Sequence, residues 1–111
     1  MRLNRQDYND VTVLEIRGDL DIDSAQNLES QINDIIAEAK TSIVLDMSSS
    51  NFIDSVGLEK LLWVRDYCKE NNCQIRLAGL DENCMKILEI TRLDDQFDCY
   101  DELAQAVKSS V

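Results

Sequence analysis

The apolar positions of this chain repeat with two periods, one near two residues and one near three and a half, and their alternation lays out the elements. From Val11 to Asp19, VTVLEIRGD, branched and apolar residues at Val11, Val13 and Leu14 or Ile16 alternate with polar ones, as in a half-buried strand. The preceding LNRQDY offers a partner strand, joined through Asn9 and Asp10, a weaker hairpin signal than Asn-Gly. From Ser24 to Lys40, Ala25, Leu28, Ile32, Ile35, Ile36 and Ala39 share one helical face. Asp23 or Ser24 is placed to cap that helix, and Lys40 suits its negative end. SIVLDM, Ser42 to Met47, is a continuous apolar run, the mark of a strand covered on both faces. QIRLAG, Gln74 to Gly79, is a further strand, and FDCY around Phe97 a weaker one. Helical spacing returns from Val56 to Asn71, Glu82 to Thr91 and Asp101 to Lys108.

A hairpin followed by helices alternating with strands predicts an α/β fold: a mixed, mostly parallel β-sheet of four to five strands packed with about four α-helices. Its parallel part is built by right-handed crossovers. With no proline, no repeat and no shift in composition, the expectation is one domain over residues 1–111.

Composition narrows the function. Asp and Glu number 22 against 11 Lys and Arg, a net charge of −11, so the surface repels phosphate backbones and direct nucleic-acid binding is not expected. The same charge aids solubility and would steer a basic protein partner. No apolar run reaches the ~18 residues of a membrane span, and no signal-like segment follows the start; the expected location is the cytoplasm, without membrane insertion. The four cysteines, Cys68, Cys73, Cys84 and Cys99, lack CxxC spacing and the chain has no histidine. Reduced thiols are expected there, with no metal site. Without histidine the usual general base is missing, and three glycines with no phosphate-cradling loop speak against nucleotide chemistry. The expectation is a binding protein, not an enzyme, with no cofactor.

One stretch stands out. SSSNFIDSVGLEKLL, Ser48 to Leu62, follows the apolar strand and opens a helix, and in parallel sheets such loops reach the edge where ligands and partners bind. Asp54 or Ser55 can cap the helix, and Gly57 lets backbone come close. Read alone, the segment is more simply a capped helix and nothing more. At 100 degrees per residue Gly57, Leu58, Leu61, Leu62, Val64 and Cys68 share one face, with Glu59, Trp63, Asp66 and Glu70 opposite. Trp63 therefore reads as a solvent-side anchor for an interface, unless a neighbouring segment folds over it.

Two motifs, RGDLDIDSA at Arg17 to Ala25 and IVLDMSSSNFIDSVGLEKLL at Ile43 to Leu62, in this order and among these elements, resemble the STAS domain family of sulfate transporters and anti-sigma-factor antagonists. The tail ITRLDDQFDCYDELAQAV is similar to the family's last helix turn, edge strand and closing helix, so the resemblance spans essentially the whole chain. It implies that Ser55, directly after Asp54, is the acceptor phosphorylated by an anti-sigma factor that is itself a serine kinase. It implies further a partner switch: the unphosphorylated form binds the kinase and frees a sigma factor, the phosphorylated form lets go, and a serine phosphatase resets it. Asp21 matches the Asp of the family's G-x-L-D stretch, and reads equally as a turn or cap residue. The partner surface expected from these matches comprises Asp21, Asp23, Asp54, Ser55, Val56, Gly57, Glu59 and Trp63. Ser24, Ser48, Ser49 and Ser50 read as cap and loop.

The chain departs from the family's habits at Glu59, where a small residue is frequent, at Trp63, where glycine is common, and at Val56, which removes a second hydroxyl beside Ser55. Glycine is also common at the position of Arg92, as for a left-handed helix end; Arg92 in that conformation costs about 1 kcal/mol, or the helix ends differently. The resemblance leaves a rival: a constitutive docking subunit of a lipid-transport ABC system or a signalling scaffold, with Trp63 as permanent contact. An exposed Trp63 would serve a homodimer as well as a hetero-complex.

Overall fold

The computed structural model describes residues 2–110. Strands β1 (Arg2–Tyr8) and β2 (Val11–Arg17) form an antiparallel hairpin in which Tyr8 faces Val11. Its two-residue turn holds Asn9 at φ 56°, the left-handed region that asparagine tolerates. The chain continues through α1 (Ile22–Ala37), β3 (Ser42–Ser49), α2 (Ser55–Glu70), β4 (Gln74–Ala78), α3 (Glu82–Ile90), a 3₁₀ turn at Asp94–Gln96, β5 (Asp98–Tyr100) and α4 (Leu103–Ser109). The sheet order is β1-β2-β3-β4-β5, with every pair after the hairpin parallel. This is the mixed, mostly parallel α/β fold the periodicity predicts, with five strands and four helices.

The two faces of the sheet are covered unequally. Leu14, Ile16, Ile43, Leu45, Met47 and Leu77 are buried in one core with residues of α1, α2 and α3. On the other face Val11, Val13, Val44 and Ala78 meet Ala106 of α4, flanked by Leu103 and Val107. Central β3 is buried from Ser42 through Met47, which explains its unbroken apolar run: side chains of both parities have a partner layer.

Element boundaries moved where caps decide them. α1 begins at Ile22, earlier than its apolar stripe suggests, because Asp21 and not Asp23 or Ser24 is the N-cap. The Asp21 carboxylate accepts the N–H groups of Asp23 and Ser24 at 3.0 and 3.2 Å, while the Ser24 hydroxyl accepts the Asp21 N–H at 2.8 Å, a capping box. At the other end the chain leaves the helix at Ala39, φ 62°, before Lys40. Asn72 and Arg92 close α2 and α3 in the same way, at φ 56° and 61°. Arg92 therefore takes the left-handed conformation its sequence position suggests.

Candidate functional site

The carboxyl ends of β2 and β3 run on past their ladder as a pair of zipped loops. The Gly18 N–H donates to the Ser49 carbonyl at 3.2 Å, Leu20 N–H to Phe52 at 3.0 Å and Asp54 N–H to Leu20 at 3.1 Å. Ser50, fully buried, sets its hydroxyl 2.6 Å from the Gly18 carbonyl and 3.2 Å from that of Ile16. The Asp19 carboxylate accepts the Asn51 N–H at 3.2 Å. Ser50 is thus a fastener between loops, and the Ser48 hydroxyl is likewise spoken for, donating to Asp46 at 2.8 Å.

This zipper sets the starts of α1 and α2 side by side, since Leu20, which precedes cap Asp21, accepts the N–H of cap Asp54. The Asp54 carboxylate accepts the Gly57 N–H at 2.8 Å. Gly57 is required here by space: a Cβ on it would lie 2.3 Å from the Leu20 carbonyl oxygen, inside any permitted contact. The glycine therefore lets the first turn of α2 press onto the neighbouring loop.

Ser55 is the first residue of that turn, and it is exposed. Among the described residues no hydrogen bond engages its hydroxyl, in contrast to Ser24, Ser48 and Ser50. The backbone N–H groups of a first helical turn and the helix dipole favour an anion at such a position. The rim is acidic and apolar together: Asp23 is exposed beside Ile22, itself 66% exposed, and Phe52 is 51% exposed on the adjoining loop. Sequence reasoning missed Ile22 and Phe52. The signals were there, since Ile22 stands off the apolar stripe of α1 and Phe52 interrupts a polar loop.

The family model described as "STAS domain" matches residues 2–106. The chain belongs to the STAS family. A relative, the anti-sigma-F factor antagonist RsfB of Mycobacterium tuberculosis, is 42% identical over 55 residues, 50% of this chain and 45% of that protein; the match spans less than half the relative's length. Among solved structures, a putative anti-sigma factor antagonist from Thermotoga maritima superposes with a TM-score of 0.89 at 21% identity, covering 97% of this chain and 93% of that one. The Bacillus cell fate determinant SpoIIAA, solved in its phosphorylated form, gives 0.76 at 15% identity, covering 97% and 98%. At such identities these two likenesses speak for the STAS fold.

On this STAS framework Asp21, Asp23, Asp54, Ser55 and Val56 come together at one edge, with Gly57 buried beneath them and Glu59 exposed further along the first turns of α2. Trp63 does not join them as a free anchor. Its ring stacks on Tyr67, centroids 4.8 Å apart and 12° from parallel, with the Lys60 ammonium 5.1 Å above it. Lys60 is in turn paired with Glu29 of α1 at 2.9 Å. Both aromatics are half-buried against the main core. The helical period sets Trp63 opposite the core stripe, yet its ring packs against the core and stacks on Tyr67, one turn ahead. Two grooves, beside α4 on the opposite face of the sheet, include none of these residues. Among the described residues no helix is long and apolar enough to cross a membrane, and no three His, Cys, Asp or Glu side chains gather as a metal site.

Proposed function

We propose that this STAS protein is an anti-sigma-factor antagonist that works by phosphorylation-controlled partner switching, with Ser55 as the phosphate acceptor. The observation that carries the reading is the exposed, unengaged Ser55 hydroxyl at the start of α2, on an edge where a second helix also begins. The relationship to an anti-sigma-F factor antagonist supports it. The unphosphorylated form binds an anti-sigma serine kinase through the edge formed by Asp21, Asp23, Asp54, Ser55, Val56 and Glu59, together with Ile22 and Phe52. The sigma factor is thereby released; phosphorylation ends the complex, and a serine phosphatase returns the phosphorylated protein to its unphosphorylated, binding form. The protein acts in the cytoplasm as a binding module and catalyses nothing itself.

The electrostatics of the edge supply the switch. A phosphate on Ser55 brings about −1.5 to −2 charges. Free N–H groups and the dipole of α2 accommodate it in the isolated protein. In a complex the same charge has to be desolvated beside Asp54 and the start of α1. A penalty of about 2.7 kcal/mol suffices for a hundredfold loss of affinity. The experiment is a titration of the cognate anti-sigma kinase with wild type, Ser55→Ala and Ser55→Asp. Ser55→Ala should bind as wild type does, and Ser55→Asp roughly a hundredfold more weakly; equal affinities for the three would overturn the proposal. The rival reading, constitutive docking through Trp63, is the less favoured, since that ring is stacked on Tyr67 and half-buried.

A further inference from the structure

The far end of α2 carries two cysteines that the switch does not use. Cys68 lies in its last turn and Cys73 just before β4, and both are buried. They are joined by the geometry of the helix end. The Cys73 N–H donates to the Cys68 carbonyl at 2.8 Å and the Asn72 N–H to that of Lys69 at 3.4 Å, with Asn72 left-handed at φ 56°. This is the 6→1 and 5→2 pattern of a Schellman cap, whose outer pair of side chains ordinarily makes an apolar contact. At the end of α3 the equivalent positions are Leu88 and Leu93, joined by a 2.8 Å bond. At the end of α2 they are two thiols, both part of the main core, with the Cys73 Sγ 3.7 Å from the Gln74 carbonyl oxygen.

We propose that Cys68 and Cys73 form a reversible dithiol–disulfide site, oxidised by a peroxide, that staples the end of α2 to the start of β4. The proposal does not rest on the reading of Ser55. Cys73 is the attacking group. It is the less buried of the two, 5% exposed against 0%, and the neighbouring Cys68 thiol holds its pKa below the usual range. The neighbouring Cys73 sulfur, with burial, holds Cys68 protonated. Cys84 and Cys99, with no second thiol beside them, are pushed up by burial to about 12 and about 11. The Cys73 thiolate attacks one peroxide oxygen; the S–O bond forms, the O–O bond breaks, and the departing hydroxide takes up a proton as water. The Cys68 sulfur then attacks the sulfenic sulfur. The S–S bond forms, the S–O bond breaks, and hydroxide leaves with the Cys68 proton as a second water. Two thiols lose two electrons and one peroxide becomes two waters.

The test uses the reduced full chain treated with hydrogen peroxide, acid-quenched, alkylated and digested with trypsin. Cleavage after Lys69 separates the two cysteines, so the bond would join the peptides of residues 66–69 and 70–76. The expected result is that linked pair, formed while circular dichroism still reports native helix and lost on adding dithiothreitol. With Cys68→Ser, a sulfenic acid on Cys73 should be trapped by dimedone. The proposal is overturned if Cys68 and Cys73 stay alkylatable at a peroxide dose that oxidises Cys99, if Cys73 pairs with Cys84 or Cys99 instead, or if the link forms only after unfolding.

Discussion

Ser55 owes its availability to its neighbours. Asp54 takes the capping role, Ser24 and Ser50 are consumed by local hydrogen bonds, and Ser48 is tied to Asp46, which leaves Ser55 at the helix mouth with a free hydroxyl. The helix start was legible in the sequence, because an Asp-Ser pair before an apolar helical stripe is a start signal whatever its purpose, but which of the two caps it was left open. Which aspartate caps α1 was not legible, since Asp21, Asp23 and Ser24 are all competent caps; the zipper through Leu20 decides among them, and it is a tertiary feature. Gly57 is the residue on which the edge depends most. Gly57→Ala should destabilise the protein by about 2 kcal/mol or more, because its Cβ would collide with the Leu20 carbonyl, which is backbone and yields little. Urea unfolding measures this directly. An unchanged midpoint would mean that the two helix starts are not pressed together as described.

At the scale of elements, the helices announced themselves through their apolar stripes and β3 through its unbroken apolar run. Their ends did not. Helices close in the left-handed region most often with glycine, yet here Ala39, Asn72 and Arg92 hold it, at φ 62°, 56° and 61°, so at Ala39 no glycine marks the stop. The tertiary packing of α1, α2 and α3 on the sheet imposes these turns at a local cost. Ala39→Gly and Arg92→Gly should each stabilise the protein by about 0.5–1 kcal/mol, the strain relieved exceeding the entropy glycine adds to the unfolded chain. Asn72→Gly should change little, since asparagine already tolerates the conformation. Thermal melts of the three variants check this ordering. Trp63 belongs to the same scale: the helical period places a Cβ, whereas the contacts of a large ring depend on what lies one turn away.

For the whole molecule, three helices on one face of the sheet and one on the other gather the β2–α1 and β3–α2 loops at a single edge. That convergence follows from parallel topology, and it is why motifs some thirty residues apart meet. The net charge of −11 acts at this scale also. If the kinase presents a basic face to this edge, as the proposal requires, its association rate should fall by roughly tenfold or more between low and high salt, while dissociation changes less. Stopped-flow binding at several ionic strengths measures both; a salt-independent association rate would contradict electrostatic steering.

The central claim is that Ser55 is a conditional phosphate acceptor. Its most direct test is intact and peptide mass spectrometry of the protein taken from its own cells, with and without stress. The account predicts a single phosphate, located on Ser55, in a fraction that changes with condition while Ser48, Ser49 and Ser50 remain unmodified. A Ser55 that carries no phosphate under any condition, or a phosphate confined to another serine, would contradict it.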